Sequence, residues 1–182
     1  MADDGRILPA RFEFYVEPVS LVEALRLPYL PELDVHGIDF RFLEGDAELG
    51  TFRRKGYGHR RITAGDVRQY LGDPAPVLTF DLDQLERAGE IPTAFDVTRR
   101  VEHAGTLDGF CVWFRATFDQ QTGFSTAPLD PWTHWTNRLY RTRQRQVLPG
   151  DEIGYRFLMD DPLRPGTWSV AAVDHPCGAH AA

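Results

Sequence analysis

The sequence predicts a mostly β protein, built as an antiparallel barrel or sandwich. Three observations carry this. Short runs of alternating apolar and polar residues recur along the chain, turn signals rich in proline and glycine separate them, and little helical periodicity follows residue 72. Short strands at such spacing are the mark of antiparallel all-β architectures.

The first strand is expected over residues 10–16, where Phe12, Phe14 and Val16 alternate with Glu13 and Tyr15 as a half-buried strand. Residues 20–26 read as a short helix with Ser20 at its N-cap and Pro28 beyond its end. Residues 27–33 hold two prolines and read as loop. Thr63 and Asp66 have a spacing related to the capping box, so a second helix is expected there. Val67, Tyr70 and Leu71 would form its apolar stripe and Gly72 its stop. From residue 77 onward the pattern is β. Strands are expected over residues 77–82, 94–97, 99–105, 110–118, 137–146, 152–159 and 167–173. The clearest is 110–118, with Phe110, Val112, Phe114, Ala116 and Phe118 on one face. Residues 174–182 read as a flexible tail, so one domain is expected over residues 1–173.

Composition bounds the function. The chain has 182 residues, 42% of them hydrophobic and 26% charged, as in an ordinary globular protein. A chain of this length buries about 70% of its unfolded surface and needs neither disulfides nor a metal to hold a core. No apolar run approaches the ~20 residues of a membrane helix, and the acidic opening Met1-Ala2-Asp3-Asp4-Gly5 is followed by no apolar signal region. Cys111 and Cys177 form no close-spaced pair, which suits a reducing compartment. The expectation is a cytoplasmic protein with no membrane contact.

The formal charge of −7 argues against non-specific nucleic-acid binding, which needs a basic footprint, and suits a cationic ligand. All but one of the 20 basic residues are arginine, the exception being Lys55. Their scatter reads as the codon bias of a GC-rich, bacterial genome. Residues 53–61 run against the acidic trend, with Arg53, Arg54, Lys55, Arg60 and Arg61 and no acid. Two readings stand for them: an acidic-partner or nucleic-acid loop with Tyr57 as a stacking residue, or a solvated loop hinged on glycines.

Motifs for a cofactor are absent from the sequence. No glycine-rich dinucleotide fingerprint follows a strand, and there is no phosphate-binding loop. His175, Cys177 and His180 fit no common zinc spacing. Ser125, Cys111 and His134 are the candidates for nucleophilic chemistry, but no nucleophile elbow surrounds the serine.

Residues 123–135 differ in kind. They join two strands and are rich in proline, hydroxyls and indoles, with Trp132 and Trp135 flanking His134. Two indoles around a titratable imidazole suit the gripping of a planar cation by stacking, while the histidine orients it or handles a proton. The other reading is a capping loop whose indoles belong to the core.

This segment resembles the C-terminal β-barrel domain of the protein arginine N-methyltransferases. The family's Thr-His-Trp loop is matched by Thr133-His134-Trp135, and the stretch before it by Gly123-Phe124-Ser125-Thr126-Ala127-Pro128. Residues 107–118 resemble the strand before the loop, residues 148–153 the turn after it, and residues 5–11 the start of the barrel. Residues 16–45, including Gly37-Ile38-Asp39-Phe40, resemble the helical dimerisation arm, placed at about residues 18–45.

Members of that family carry an S-adenosylmethionine-binding Rossmann domain ahead of the barrel, and this sequence has no counterpart to it. The resemblance therefore implies the barrel subunit of a split arginine or guanidino N-methyltransferase, inactive alone. S-adenosylmethionine would come from a separate Rossmann-fold chain, none being bound by this one. It implies His134 as the catalytic residue that positions the guanidinium, with Thr133, Trp135 and Trp132 binding the substrate. It also implies a homo-oligomer, a dimer in the family, through the arm. The alternative is a non-catalytic barrel kept as a binding or oligomerisation module.

Overall fold

A computed structural model describes residues 9–26, 34–40 and 59–173, apart from 83, 85, 86, 88 and 90. Twelve strands are present among them. β1 (Arg11–Leu21), β4 (His59–Ile62), β5 (Val67–Tyr70), β6 (Leu78–Asp81), β8 (Gly105–Thr117), β9 (Gly123–Ser125) and β10 (Asn137–Val147) form one antiparallel sheet. Its main path runs β4-β10-β8-β1-β5, with β6 pairing β1 and β9 pairing β8. β7 (Ala94–Arg100), β11 (Glu152–Met159) and β12 (Trp168–Val173) form a second sheet in the order β12-β11-β7. β2 (Asp34–Val35) and β3 (Ile38–Asp39) make a small hairpin turning through Gly37. The mostly β, antiparallel prediction is met.

β8 is the central strand, and its sequence explains why. It is apolar on both faces, so it is buried on both, and alternation gives way to a continuous apolar run. Phe110 and Val112 point into the layer between the two sheets. There they meet Phe14 and Val16 of β1 and Tyr155 and Phe157 of β11. Cys111 and Trp113 face the opposite side, where they pack with Tyr15, Val19, Ile62 and Leu139. Tyr15 and Trp113 stack with ring centroids 3.7 Å apart. The Tyr155 hydroxyl donates to the Val16 carbonyl and ties the second sheet to the first. Gly109 lets β8 and β10 approach closely: a Cβ there would lie 2.4 Å from the Tyr140 carbonyl oxygen.

The two predicted helices are corrected. Ser20 and Leu21 are the end of β1, and only the single 3-10 turn Glu23–Leu25 follows. The Ser20 hydroxyl caps nothing; it donates across the sheet to the Thr106 carbonyl. Residues 67–70 are β5, because Val67 and Tyr70 find partners opposite Leu21 and Val19 on β1. Asp66 instead closes a turn, its Oδ2 accepting from the Thr63 N–H at 2.8 Å. Gly72 stops no helix; its Cα packs against the Arg100 carbonyl, where a Cβ would come within 2.3 Å.

Other elements match with shifted edges. β1 runs on past the expected residue 16, since Glu17 and Pro18 pair with Cys111 and Phe110. The expected strands at 94–97 and 99–105 are one strand, β7, followed by a turn into β8. β9 and the basic strand β4 were not foreseen. Of the basic segment, His59, Arg60 and Arg61 lie in β4, and residues 53–58 are outside the described set. Within the expected arm, the end of β1, the 3-10 turn and the β2–β3 hairpin are described; residues 27–33 and 41–45 lie outside the described residues, as does the tail 174–182.

Candidate functional site

The segment after β9 is pinned at its start and free at its tip. Thr126 continues the pairing of β9 by bonding back to β8: its N–H donates to the Phe114 carbonyl at 2.9 Å, and its Oγ1 accepts from the Phe114 N–H at 3.0 Å. Ala127 N–H donates to Ser125 Oγ at 3.0 Å, and the Pro128 carbonyl accepts from Gly65. Thr126, Ala127 and Pro128 are consequently buried. Beyond them Leu129, Trp132 and Trp135 are exposed, Trp132 by 70%, until buried Asn137 restarts the sheet as β10.

Within that exposed tip the Trp135 N–H donates to Thr133 Oγ1 at 3.3 Å. The Trp135 ring stands edge-on to Phe114 of β8, centroids 5.8 Å apart, and the His134 ring lies 4.9 Å from it. These contacts seat His134 and Trp135 over a cleft of about 410 Å³ between the loop, the large sheet and the turn into β12. Phe14, Val112 and Phe114 contribute from the large sheet, Pro165 and Trp168 from the other side. The Tyr140 hydroxyl donates to the Pro165 carbonyl at 3.2 Å and fixes that wall.

Sequence reasoning placed four residues at this site, and the structure distributes them. His134 and Trp135 line the cleft; Trp132 and Thr133 do not. The two indoles therefore do not close around the imidazole from both sides. Arg61 and Arg138 also line the cleft, and sequence reasoning missed them. Arg61 had been read only as part of a basic run and Arg138 as part of a polar strand. Nothing local joins two residues so far apart; the register of β4 against β10 does, setting Arg138 opposite Arg61.

The cleft is cationic. Its described lining holds two arginines and one histidine and no aspartate or glutamate. Cys111, one of the nucleophile candidates, is fully buried on the far side of the sheet, and burial pushes its thiol pKa well up. Ser125 accepts a hydrogen bond from the Ala127 N–H and is not part of the cleft lining. No group of three potential metal ligands occurs among the described residues. No helix among them is long and apolar enough to cross a membrane.

Comparison with known proteins gives a consistent result. Residues 57–164 match the family model described as the arginine methyltransferase oligomerization subdomain. The human protein arginine N-methyltransferase 2 is 26% identical over 176 residues, covering 93% of this chain and 36% of its own length. The zebrafish (Danio rerio) protein arginine N-methyltransferase 6 is 27% identical over 140 residues, covering 72% of this chain and 38% of its own. The chain thus spans little more than a third of these curated relatives. Among solved structures, the Trypanosoma brucei PRMT1 enzyme–prozyme heterotetrameric complex with AdoHcy superposes at a TM-score of 0.63 with 17% identity. That match covers 85% of this chain and 47% of the other. Arabidopsis thaliana protein arginine methyltransferase 10 superposes at 0.60 with 18% identity, covering 87% and 52%. At those identities the structural matches establish the fold.

Proposed function

The chain belongs to the arginine methyltransferase family through its oligomerization subdomain, and from that premise we propose that it is the barrel subunit of a split arginine or guanidino N-methyltransferase. S-adenosylmethionine would be bound by a separate Rossmann-fold chain. One observation carries this reading. His134 and Trp135 overhang a cleft that, among the described residues, offers a guanidinium no carboxylate. A guanidinium is recognised by bidentate pairing with carboxylates. The acids that hold it must come from outside these residues.

S-adenosylmethionine meets the same condition as the guanidinium: beside Arg61 and Arg138 its sulfonium would need a counter-charge that the described lining does not hold. No step of methyl transfer is therefore assigned to this chain. Its part is positioning: Trp135 forms a wall for the planar cation, His134 orients it or takes a proton, and Thr133 holds the loop through the Trp135 N–H. The exposed Leu129, Trp132 and Trp135 supply an apolar face on which the second chain docks. One barrel domain spans residues 1–173, and the arm at 18–45 supports self-association.

A second reading rests on the family model, which describes an oligomerization subdomain: a non-catalytic barrel that assembles with itself or with a related enzyme. The native mass of the tagged chain purified from its own source separates the two. A Rossmann-sized chain eluting in fixed stoichiometry, and methyl transfer only by the pair, supports the split enzyme. A barrel that elutes alone or only with itself overturns it.

A further inference from the structure

Arg61 and Arg138 face each other across β4 and β10, and both line the cleft beneath His134 and Trp135. Residues directly opposite on antiparallel strands bring their Cβ atoms within about 5 Å, and like charges in that arrangement repel. Neither guanidinium has a carboxylate partner among the described residues, in contrast to Arg99, Arg156 and Arg26. The same register puts Val112 beside Arg138 on the face that looks between the sheets. The pair therefore stands at the rim of an aromatic, acid-free cleft.

We propose that Arg61 and Arg138 form a carboxylate-binding site, and that the cleft's ligand is a small guanidino acid with a free carboxylate. Guanidinium forks suit a carboxylate, which accepts through both oxygens. Trp135, Phe114 and Trp168 of the same lining are aromatic and suit the apolar stem of such a molecule. A volume of about 410 Å³ lies within the usual range of small-molecule sites. The guanidinium end rests on the split-enzyme reading, in which a partner supplies the acids; the carboxylate end does not. An arginine inside a polypeptide has its carboxyl tied up as an amide and offers nothing to this pair.

The test is titration of the full chain by tryptophan fluorescence, since the indoles of Trp135 and Trp168 line the cleft. Three probes are used: Nα-acetyl-arginine, its methylamide, and Nα-acetyl-norvaline, which keeps the carboxylate and lacks the guanidinium. The acid of arginine should bind about tenfold more tightly than the methylamide. Arg61→Gln and Arg138→Gln should each abolish that preference. Arg60→Gln, on the opposite face of β4, should retain it. Arg61→Lys should recover only part of it, because a point charge cannot replace the fork. Thermal midpoints confirm that each variant is folded.

Equal binding of acid and methylamide overturns the carboxylate site while leaving the split-enzyme reading intact. Norvaline binding as tightly as the arginine acid to this chain alone, and lost in Arg138→Gln, supports the anion site, because the acids for the guanidinium are absent; equal binding that persists once a Rossmann-fold partner is added overturns the guanidino half. No saturable response to any probe overturns the proposal as a whole.

Discussion

Glu17 of β1 and Arg99 of β7 lock the two sheets together through a buried, bidentate ion pair. Arg99 Nε and Nη2 each donate to a carboxylate oxygen of Glu17 at 2.9 Å, and the Ala75 N–H adds a third bond at 3.0 Å. Glu17 is 1% exposed. Nothing in its neighbourhood on the chain marks it as structural, yet it joins strands more than 80 residues apart.

Glu17→Ala leaves the half-buried Arg99 guanidinium without its carboxylate, though still bonded to the Ala75 carbonyl, and should cost ~2 to 3 kcal/mol of stability. Glu17→Gln keeps the shape and part of the hydrogen bonding, and should cost less. Urea denaturation of the three proteins checks the order. A loss below ~1 kcal/mol for the alanine variant would mean that water replaces the carboxylate.

The pair also sets a pH dependence. Burial raises the Glu17 pKa above its ordinary value of 4.5, outweighing the hydrogen bond and charge of Arg99, which pull it down. Arg99 itself moves up: burial lowers its pKa, and the hydrogen bond to Glu17 together with the charges of Tyr155 and Glu17 more than restores it. For a carboxyl raised on folding, the native state holds more protons than the unfolded state between the two pKa values. Stability then falls as pH rises through that window. The stability difference between wild type and Glu17→Gln should therefore shrink from pH 4 upward and level off above the raised value. A difference that grows with pH would show that the attraction of Arg99 exceeds the cost of burial.

The strands were legible where pattern and burial coincide. Residues 152–159 alternate cleanly because only Ile153, Tyr155, Phe157 and Met159 enter the core on that strand, and β11 has those bounds. The helices expected at Ser20 and Thr63 failed for one reason. Hydroxyl and carboxylate side chains at helix-start spacing also serve strand ends and turns, and pairing of β1 with β5 decides between them. In the cleft, His134 and Trp135 were legible as a loop motif. Arg61 and Arg138 were not, since only strand register brings them together.

Asp108 is a second buried carboxylate, and it anchors the chain where it leaves β1. Its Oδ2 accepts from the Leu21 N–H at 2.8 Å and from Arg26 Nε at 3.0 Å, while Oδ1 accepts from Gln144 Nε2 at 2.7 Å. Asp108→Asn turns one of these acceptors into a donor and removes the charge opposite Arg26. It should destabilise the fold by ~1 to 3 kcal/mol and speed amide exchange at residues 21–26. Unchanged exchange in that stretch would refute the anchoring role.

Gly109 has no room for a methyl group. A Cβ would meet the Tyr140 carbonyl at 2.4 Å and Arg141 Cα at 3.1 Å, both backbone atoms that cannot turn aside. Gly109→Ala must part β8 from β10 near the strand irregularity between Arg141 and Arg145. A loss of ~2 kcal/mol or more in thermal or chemical unfolding is expected. Because β10 carries Asn137 and Arg138 beside the cleft, fluorescence of its tryptophans should shift as well. A shift in stability alone would confine the damage to the far end of β10.

The two indoles of the loop should separate in their effects. Trp132 is 70% exposed and makes no ring contact among the described residues, whereas Trp135 packs on Phe114 and His134. Trp132→Ala should leave the thermal midpoint unchanged and weaken capture of a Rossmann-fold partner, because an exposed indole acts only when covered. Trp135→Ala should lower the midpoint modestly and disturb the cleft. His134→Gln keeps the loop's packing, so its stability should match wild type. In a reconstituted pair it should reduce kcat by about a hundredfold if the imidazole handles a proton. Full activity in His134→Gln would reassign the imidazole to packing against Trp135, and the loop would then serve assembly alone.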